Sequence, residues 1–93
     1  MMHFTAAKFP LGKLFMTPGA HDALTAADMK IGLFWHSQGN WGDVCDEDAR
    51  ENDFSVPRHL RILSAYRAEN GTRFWVITEA DRSMTTVLLP EEY

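Results

Sequence analysis

The C-terminal third of the chain constrains the fold most, because two turn signals separate three short runs of β-branched, aromatic and aliphatic residues. Asn70-Gly71 is a strong hairpin signal, since both residue types readily adopt the positive φ that a tight turn requires. A second polar turn falls at 80–83, and the run 74–78 between the turns is largely apolar on both sides. The pattern predicts a three-stranded antiparallel meander over 61–93, whose middle strand is covered in part on both faces.

The chain before the meander predicts one strand followed by three helices. Thr17 is a suitable cap, Pro18 suits a first helical position, and Asp46 is expected to cap a third helix that is acidic in its first turn. The expected bounds are 9–15 for the strand and about 18–25, 29–38 and 46–56 for the helices.

These elements make a single α+β domain over 1–93, in the order β-α-α-α-β-β-β. We expect a mostly antiparallel sheet that ends in the meander and carries the helices on one face, with 1–8 as a loosely ordered N-terminus. A hydrophobic fraction of 45% is enough for a core. The single cysteine, Cys45, cannot form an internal disulfide, and no run approaches the roughly 20 apolar residues of a membrane span. We therefore expect a cytoplasmic protein that is not inserted in a membrane.

Charge is distributed unevenly around a net charge of −4. An acidic segment precedes the meander, and its carboxylates are Asp43, Asp46, Glu47, Asp48, Glu51 and Asp53. A basic segment follows it, and its arginines are Arg58, Arg61, Arg67 and Arg73. The acidic segment predicts either a solvated helix start or a contact surface, whereas the arginines either pair with sheet acids or contact phosphates.

No residue pattern predicts a complete catalytic, cofactor or metal site. The histidines and the cysteine lack the spacing of zinc ligands, and they are His3, His21, His36, His59 and Cys45. The acidic segment lacks the glycine and the terminal glutamate of a calcium-binding loop. Glycine-rich phosphate loops and nucleophile motifs are absent as well, so we expect no catalytic residue, no cofactor and no metal.

Two further features allow two interpretations each. In the turn at 79–83, Glu79, Asp81 and Arg82 either form an exposed contact site or, with Ser83, fix the turn by bonding to the backbone. Trp41 lies in a loop and is either a core residue, which we favour, or an interface anchor.

The C-terminal run RFWVITEADRS at 73–83, followed by TTVLLPEEY at 85–93, resembles a family of small bacterial proteins carried on plasmids and integrative elements. The similarity extends upstream through Thr17-Pro18-Gly19-Ala20, Trp41-Gly42 and 63–66. The resemblance implies a genetic setting on mobile DNA. It supplies no catalytic residues.

Two functions from different classes remain open. The first is a non-enzymatic accessory protein that binds a protein partner through the acidic segment and counters a defence nuclease of the CRISPR or restriction type. The second is a small nucleic-acid-associated regulatory module that uses the four arginines, with Tyr66, Phe74 or Trp75 as stacking surfaces. Direct nucleic-acid binding is less favoured because the net charge is negative. Exposed strand edges would also permit a homodimer.

Overall fold

The computed structural model of the protein describes residues 6–93 and contains a four-stranded sheet with three α-helices. The elements are β1 (Lys13–Met16), α1 (Pro18–Ala23), α2 (Ala26–Ser37), α3 (Asp46–Ser55), β2 (Ile62–Arg67), β3 (Arg73–Thr78), β4 (Met84–Leu88) and a 3₁₀-helix at Pro90–Glu92. The predicted α+β class and element order are confirmed, as is the antiparallel meander β2-β3-β4. The sheet is mixed, because β1 pairs with β4 in parallel and gives the strand order β1-β4-β3-β2.

Several element bounds differ from those expected, for reasons of local capping. Helix α2 begins at Ala26 because Thr25 and Asp28 form a reciprocal capping box, each side chain accepting from the other residue's N–H at 3.0 Å. Asp28 is therefore the third helical residue, and the expectation that the helix begins after it is wrong. The cap of α3 is Cys45 rather than Asp46, since the Asp48 N–H points to the Cys45 sulfur at 3.5 Å.

The main core lies between one face of the sheet and the helices α1 and α2. Phe74, Val76 and Val87 point to this face and pack with Ala20 of α1. Helix α2 approaches β3 most closely at Gly32, where an added Cβ would lie 2.7 Å from the Phe74 ring. A glycine in the middle of α2 is thus explained by packing.

Helix α3 lies beside the outer edge of β2 and covers the backbone groups that an edge strand exposes. The side-chain amide of Asn52 donates to the Leu63 carbonyl at 2.8 Å and accepts from the Leu63 N–H at 3.3 Å. Two residues further along, the Ala65 N–H donates to the Trp41 carbonyl and the Ala65 carbonyl accepts from the Asp43 N–H. These bonds occupy positions to which another strand would otherwise bind.

The close approach to β2 depends on Gly42, which has φ of +72°. A Cβ at this position would lie 2.0 Å from the Ala65 carbonyl oxygen. Only glycine accommodates both the backbone conformation and the contact.

The opposite edge of the sheet is β1, which has β4 as its one strand neighbour in the described part of the chain. All four of its side chains are exposed. Of the residues expected to be loosely ordered, 1–5 lie outside the described range, and the Lys8 N–H donates to the Ser37 carbonyl at 2.8 Å. Among residues 6–93 no helix combines the length and apolar character needed to cross a membrane.

Candidate interaction surface

The acidic segment forms a continuous exposed surface on α3 and the loop before it. We call it the acidic surface, and its members are Asp43, Asp46, Glu47, Asp48, Glu51 and Asp53. Within residues 6–93 none of these carboxylates lies within ion-pair distance of a basic side chain. The structure thus brings together all six acids that the sequence singled out, and none of them forms an ion pair with the two nearest bases, Arg50 on the same helix and Arg61 across the adjoining groove.

Trp41 is not an anchor on this surface. Its side chain is 5% exposed and packs in a second core cluster with Phe9 and Ile62. The indole Nε1–H donates to Asp53 Oδ1 at 3.0 Å, which fixes that carboxylate at the edge of α3. The core interpretation of Trp41 is the one that the packing supports.

The exposed aromatic ring on the acidic surface is Phe54, which sequence reasoning missed. Phe54 is 53% exposed and lies three and seven residues after Glu51 and Glu47, on the outward side of α3. The Arg58 guanidinium stacks over its ring at 3.7 Å and donates to its carbonyl, which closes the last turn of the helix. A helical-wheel projection of 46–55 would have placed this aromatic residue among the carboxylates.

A groove of about 260 Å³ separates α3 from the sheet. Asp48 and Glu51 line its α3 side, whereas Arg61 and the exposed ring of Tyr93 line the other. Arg61 Nη1 donates to the Tyr93 hydroxyl at 2.7 Å, and Arg61 Nε lies 3.5 Å from Glu79. The carboxylates on one wall of the groove therefore form no ion pair within residues 6–93, whereas Arg61 on the other wall is already paired with Glu79.

The turn at 79–83 is fixed by its own side chains. Asp81 accepts from the Ser83 N–H at 3.0 Å, and hydrogen bonds from the Ser83 hydroxyl and then from this N–H lower the pKa of Asp81. Arg82 has φ of +61° and is only 6% exposed, so the interpretation in which it shares an exposed contact site with Glu79 and Asp81 is wrong. The positive φ turns its side chain inward, beneath the loop.

The Arg82 guanidinium binds backbone carbonyls instead of an acid. Its Nη1 donates to the Leu60 carbonyl at 2.8 Å and also points to those of Glu79 and Ala80. Its Nη2 donates to the carbonyls of Ser55 and Val56, at the end of α3. These carbonyls carry the negative end of the helix dipole, which a buried cation stabilises.

The four arginines of the basic segment do not form one group. Arg58 packs on Phe54 and Arg61 pairs with Glu79, as described above. Arg67 and Arg73 are directly opposite each other on β2 and β3, and both are exposed. No acid lies within ion-pair distance of either in the described part of the chain. Like charges in this position destabilise a sheet unless an anion lies between them.

Of the three residues expected to offer stacking surfaces, one faces the same side as these arginines. Trp75 is partly exposed and packs against Tyr93 with ring centroids 5.6 Å apart. Phe74 is in the core, whereas Tyr66 is half-buried and donates its hydroxyl to the Asn40 carbonyl at 2.5 Å. Burial raises the pKa of Tyr66 to about 12.

His36 lies at the centre of a fully buried polar network between α2 and the sheet. Its Nδ1 is 2.5 Å from Ser64 Oγ and its Nε2 is 2.8 Å from Thr78 Oγ1. Thr78 Oγ1 is 2.7 Å from Thr85 Oγ1, which donates to the Leu11 carbonyl at 2.7 Å. This arrangement accounts for His36 as a packed residue of the core.

The Leu11 carbonyl can only accept, and it sets the direction of the hydrogen bonds from Thr85 as far as His36 Nε2. Thr85 donates to it, so Thr78 donates to Thr85 and therefore accepts from His36 Nε2–H. Burial keeps the imidazole neutral, so Nδ1 carries no proton and accepts from the Ser64 hydroxyl. Burial, and secondarily the charge of Arg82, lowers the pKa of His36 to about 3. The Ser64–His36 pair is enclosed on all sides, with both residues 0% exposed, and has no access to a substrate.

The remaining ligand-type side chains are dispersed. His21, His59 and the exposed Cys45 lie in different parts of the fold, and His3 falls outside residues 6–93. Among the described residues no three His, Cys, Asp or Glu side chains come together as metal ligands. Cys45 caps α3, as described above.

Comparison of the chain with protein-family models, with curated proteins and with solved structures finds no match.

Proposed function

We propose that this protein acts without catalysis, in the cytoplasm, by binding a basic surface of a protein partner through the acidic surface on α3. The observation that carries the proposal is the set of six exposed carboxylates on α3 and the loop before it, none of which forms an ion pair within residues 6–93. A charged surface of one sign accelerates encounter with a partner of the opposite sign and disfavours other partners.

Phe54 supplies an exposed apolar side chain that a partner could bury, which the carboxylates alone do not provide. Binding energy concentrates in a few aromatic or arginine side chains that become desolvated at the centre of an interface, with charged residues around them. Phe54 occupies such a position, since Glu47 and Glu51 lie on the same side of α3. The adjoining groove, with Asp48 and Glu51 on one wall, would accept a lysine or arginine side chain of the partner.

The partner class follows from the chemistry of the surface and from the resemblance of the C-terminal run to proteins of mobile elements. A basic groove that normally receives the phosphates of nucleic acid is complementary to an array of carboxylates. For a protein of a plasmid or integrative element, a defence nuclease of the CRISPR or restriction type is a partner with such a groove. We therefore propose inhibition of such a nuclease by occupation of its nucleic-acid channel.

The test is plasmid-transformation efficiency in cells that express an active restriction or CRISPR nuclease. We expect the wild-type protein to raise transformation, and Asp46→Lys combined with Asp48→Lys to abolish the effect. In binding assays with the purified nuclease, the double variant should bind at least about 100-fold more weakly, since reversing two close charges adds repulsion to the loss of attraction.

A variant with the same change in net charge provides the control. Asp22 on α1 and Glu91 in the 3₁₀-helix are exposed acids outside the acidic surface. Asp22→Lys combined with Glu91→Lys should retain protection and affinity. If both double variants lose binding equally, net charge rather than the acidic surface is responsible, and if the wild type gives no protection the nuclease partner is refuted.

A second candidate function is favoured by the opposed pair Arg67 and Arg73. The two arginines lack acidic partners among residues 6–93 and share a sheet face with Trp75. This arrangement could hold a phosphate beside a stacked base. Mobility shifts with single-stranded RNA or DNA at low and moderate salt discriminate the functions, because phosphate contacts weaken steeply with salt. Arg67→Glu combined with Arg73→Glu should remove binding if this candidate holds.

A further inference from the structure

The two edge strands of the sheet differ in whether their outward backbone groups are covered. At the β2 edge, Asn52 and the loop 41–43 occupy the outward backbone groups of Leu63 and Ala65. The β1 edge has no such cover within residues 6–93. A strand edge that lacks cover is a template for pairing with another strand.

The outward groups of β1 are those of its even-numbered residues. The N–H groups of Lys13 and Thr17 donate to the carbonyls of Ser83 and Val87 on β4. Backbone groups alternate sides along a strand, so the N–H and C=O of Leu14 and Met16 point away from the sheet. Four hydrogen-bonding groups are thus presented in a row.

Apolar side chains accompany these groups. Leu14, Phe15 and Met16 are 56, 48 and 47% exposed. Leu14 and Met16 lie on the α2 side of the sheet, where a groove of about 210 Å³ continues onto Met29 and Leu33 of α2. Edge strands that remain free usually carry charges or proline, and this one carries charge only at Lys13.

We propose that β1 pairs with β1 of a second copy of this chain, in antiparallel orientation about a twofold axis at Phe15. In this register Leu14 and Met16 of one protomer each form two backbone bonds with Met16 and Leu14 of the other, so all four outward groups of both strands are used. Registers centred on Leu14 or Met16 pair fewer of these groups within β1. The register centred on Met16 also brings Leu14 opposite Pro18, which has no N–H.

A second copy is a suitable partner because the blocked β2 edge permits only one kind of edge-to-edge pairing between copies, and that kind closes. Pairing of β1 with β2 of the next molecule would build an open fibre, and the cover on β2 prevents it. Pairing of β1 with β1 is isologous and closes after two chains. The result is one eight-stranded sheet.

The apolar surface area that a second copy could bury beside β1 is consistent with a weak dimer. Half-exposed aromatic and aliphatic side chains bury about 100 Å² each, so Leu14, Phe15 and Met16 provide roughly 300 Å² per protomer, and the partly buried Met29 and Leu33 of α2 add less. This value lies below the roughly 800 Å² per partner of a standard interface. We therefore expect dissociation in the micromolar range, where concentration decides the oligomeric state.

Sedimentation velocity over roughly 1 to 200 µM is the test, a range chosen to span a micromolar dissociation constant. The wild type should pass from monomer to dimer with rising concentration and form no larger species. Phe15→Lys places like charges at the twofold axis and should raise the dissociation constant at least about 100-fold. Phe54→Lys on α3, which is 53% exposed, is the matched control and should leave dimerisation unchanged.

Met16→Pro tests the backbone bonds themselves. It removes one outward N–H from each protomer and leaves the bonds to β4, because proline is tolerated at an edge position whose N–H faces away from the sheet. It should abolish the dimer while the circular dichroism stays that of the wild type.

Cross-linking identifies the register. In a Cys45→Ser background, Phe15→Cys should form a disulfide-linked dimer under mild oxidation, because residues 15 of the two copies are directly opposed at about 4.5–5.5 Å between Cβ atoms. Met84→Cys, on the neighbouring strand, should not. A wild type that stays monomeric at 200 µM, or a dimer that Phe15→Lys and Met16→Pro leave intact, would overturn the proposal.

Discussion

Lowering the pH from 7.5 to 5 should destabilise the protein through His36. The imidazole is neutral and buried in the folded state, with its pKa lowered by burial and by the charge of Arg82 to about 3. In the unfolded chain the ordinary value of 6.5 applies. At a pH between the folded pKa of about 3 and the unfolded pKa of 6.5, the unfolded state binds a proton that the folded state does not. The free energy of unfolding therefore decreases as the pH falls through this range.

The expected loss between pH 7.5 and pH 5 is about 2 kcal/mol, from 1.4 kcal/mol per pH unit once the pH is below 6.5. Measurements should stop at pH 5. Hydrogen bonds lower the pKa of the carboxyl groups of Asp28, Asp81 and Glu92, and these groups destabilise the fold only at more acidic pH.

Urea unfolding at both pH values measures the effect, with His36→Gln as the variant that cannot titrate. That variant should be less stable at pH 7.5, because buried hydrogen bonds are lost, but it should lose about 2 kcal/mol less than the wild type on acidification. His21→Gln, at an exposed position on α1, is the control and should behave as the wild type.

An equal loss in wild type and His36→Gln would refute the assignment of the pH dependence to the buried network. If His36→Gln does not fold, the ring-carbon NMR shifts of His36 in the wild type give the answer, since they should stay constant down to pH 5.

Three further substitutions test other contacts by urea unfolding. Arg82→Lys keeps the charge but loses most of the bonds to carbonyls at the end of α3, and should cost about 2 kcal/mol of unfolding free energy. An unchanged urea midpoint would show that the planar guanidinium is not required. Gly42→Ala forces a Cβ against the Ala65 carbonyl at a positive φ and should cost about 2 kcal/mol or more, with faster amide exchange at Ala65. Trp41→Phe removes the donor to Asp53 while keeping an aromatic ring, and should cost about 1 kcal/mol; a cost near 4 kcal/mol would point to packing instead.

Local signals in the sequence were sufficient to predict the three-stranded meander. The turn forms at Asn70-Gly71 as expected, with the Ala68 carbonyl accepting from the Gly71 N–H, although only Gly71, at +89°, has a positive φ. Pro90 ends β4 and begins a 3₁₀-helix. Each of these features depends on residues within a few positions of one another.

The features that the sequence left undetermined depend on contacts distant in the chain. The parallel pairing of β1 with β4 joins segments about 70 residues apart and has no local pattern. Arg82 was ambiguous because the carbonyls that bind its guanidinium include those at the end of α3, 26 and 27 residues away in the chain. The same limit applies to α2, where spacing predicts an apolar side but cannot show that Ile31, Phe34 and Trp35 stay exposed.

The inward-turned Arg82 has a consequence for how this fold can vary. One side chain in the β3–β4 loop binds the last turn of α3, so the position of that end of the helix depends on a loop outside it. Helix α3 therefore cannot be replaced by the corresponding helix of another protein without a change elsewhere in the chain. A chimera that imports another α3 should need the matching 79–83 loop to present its charges at the same angle.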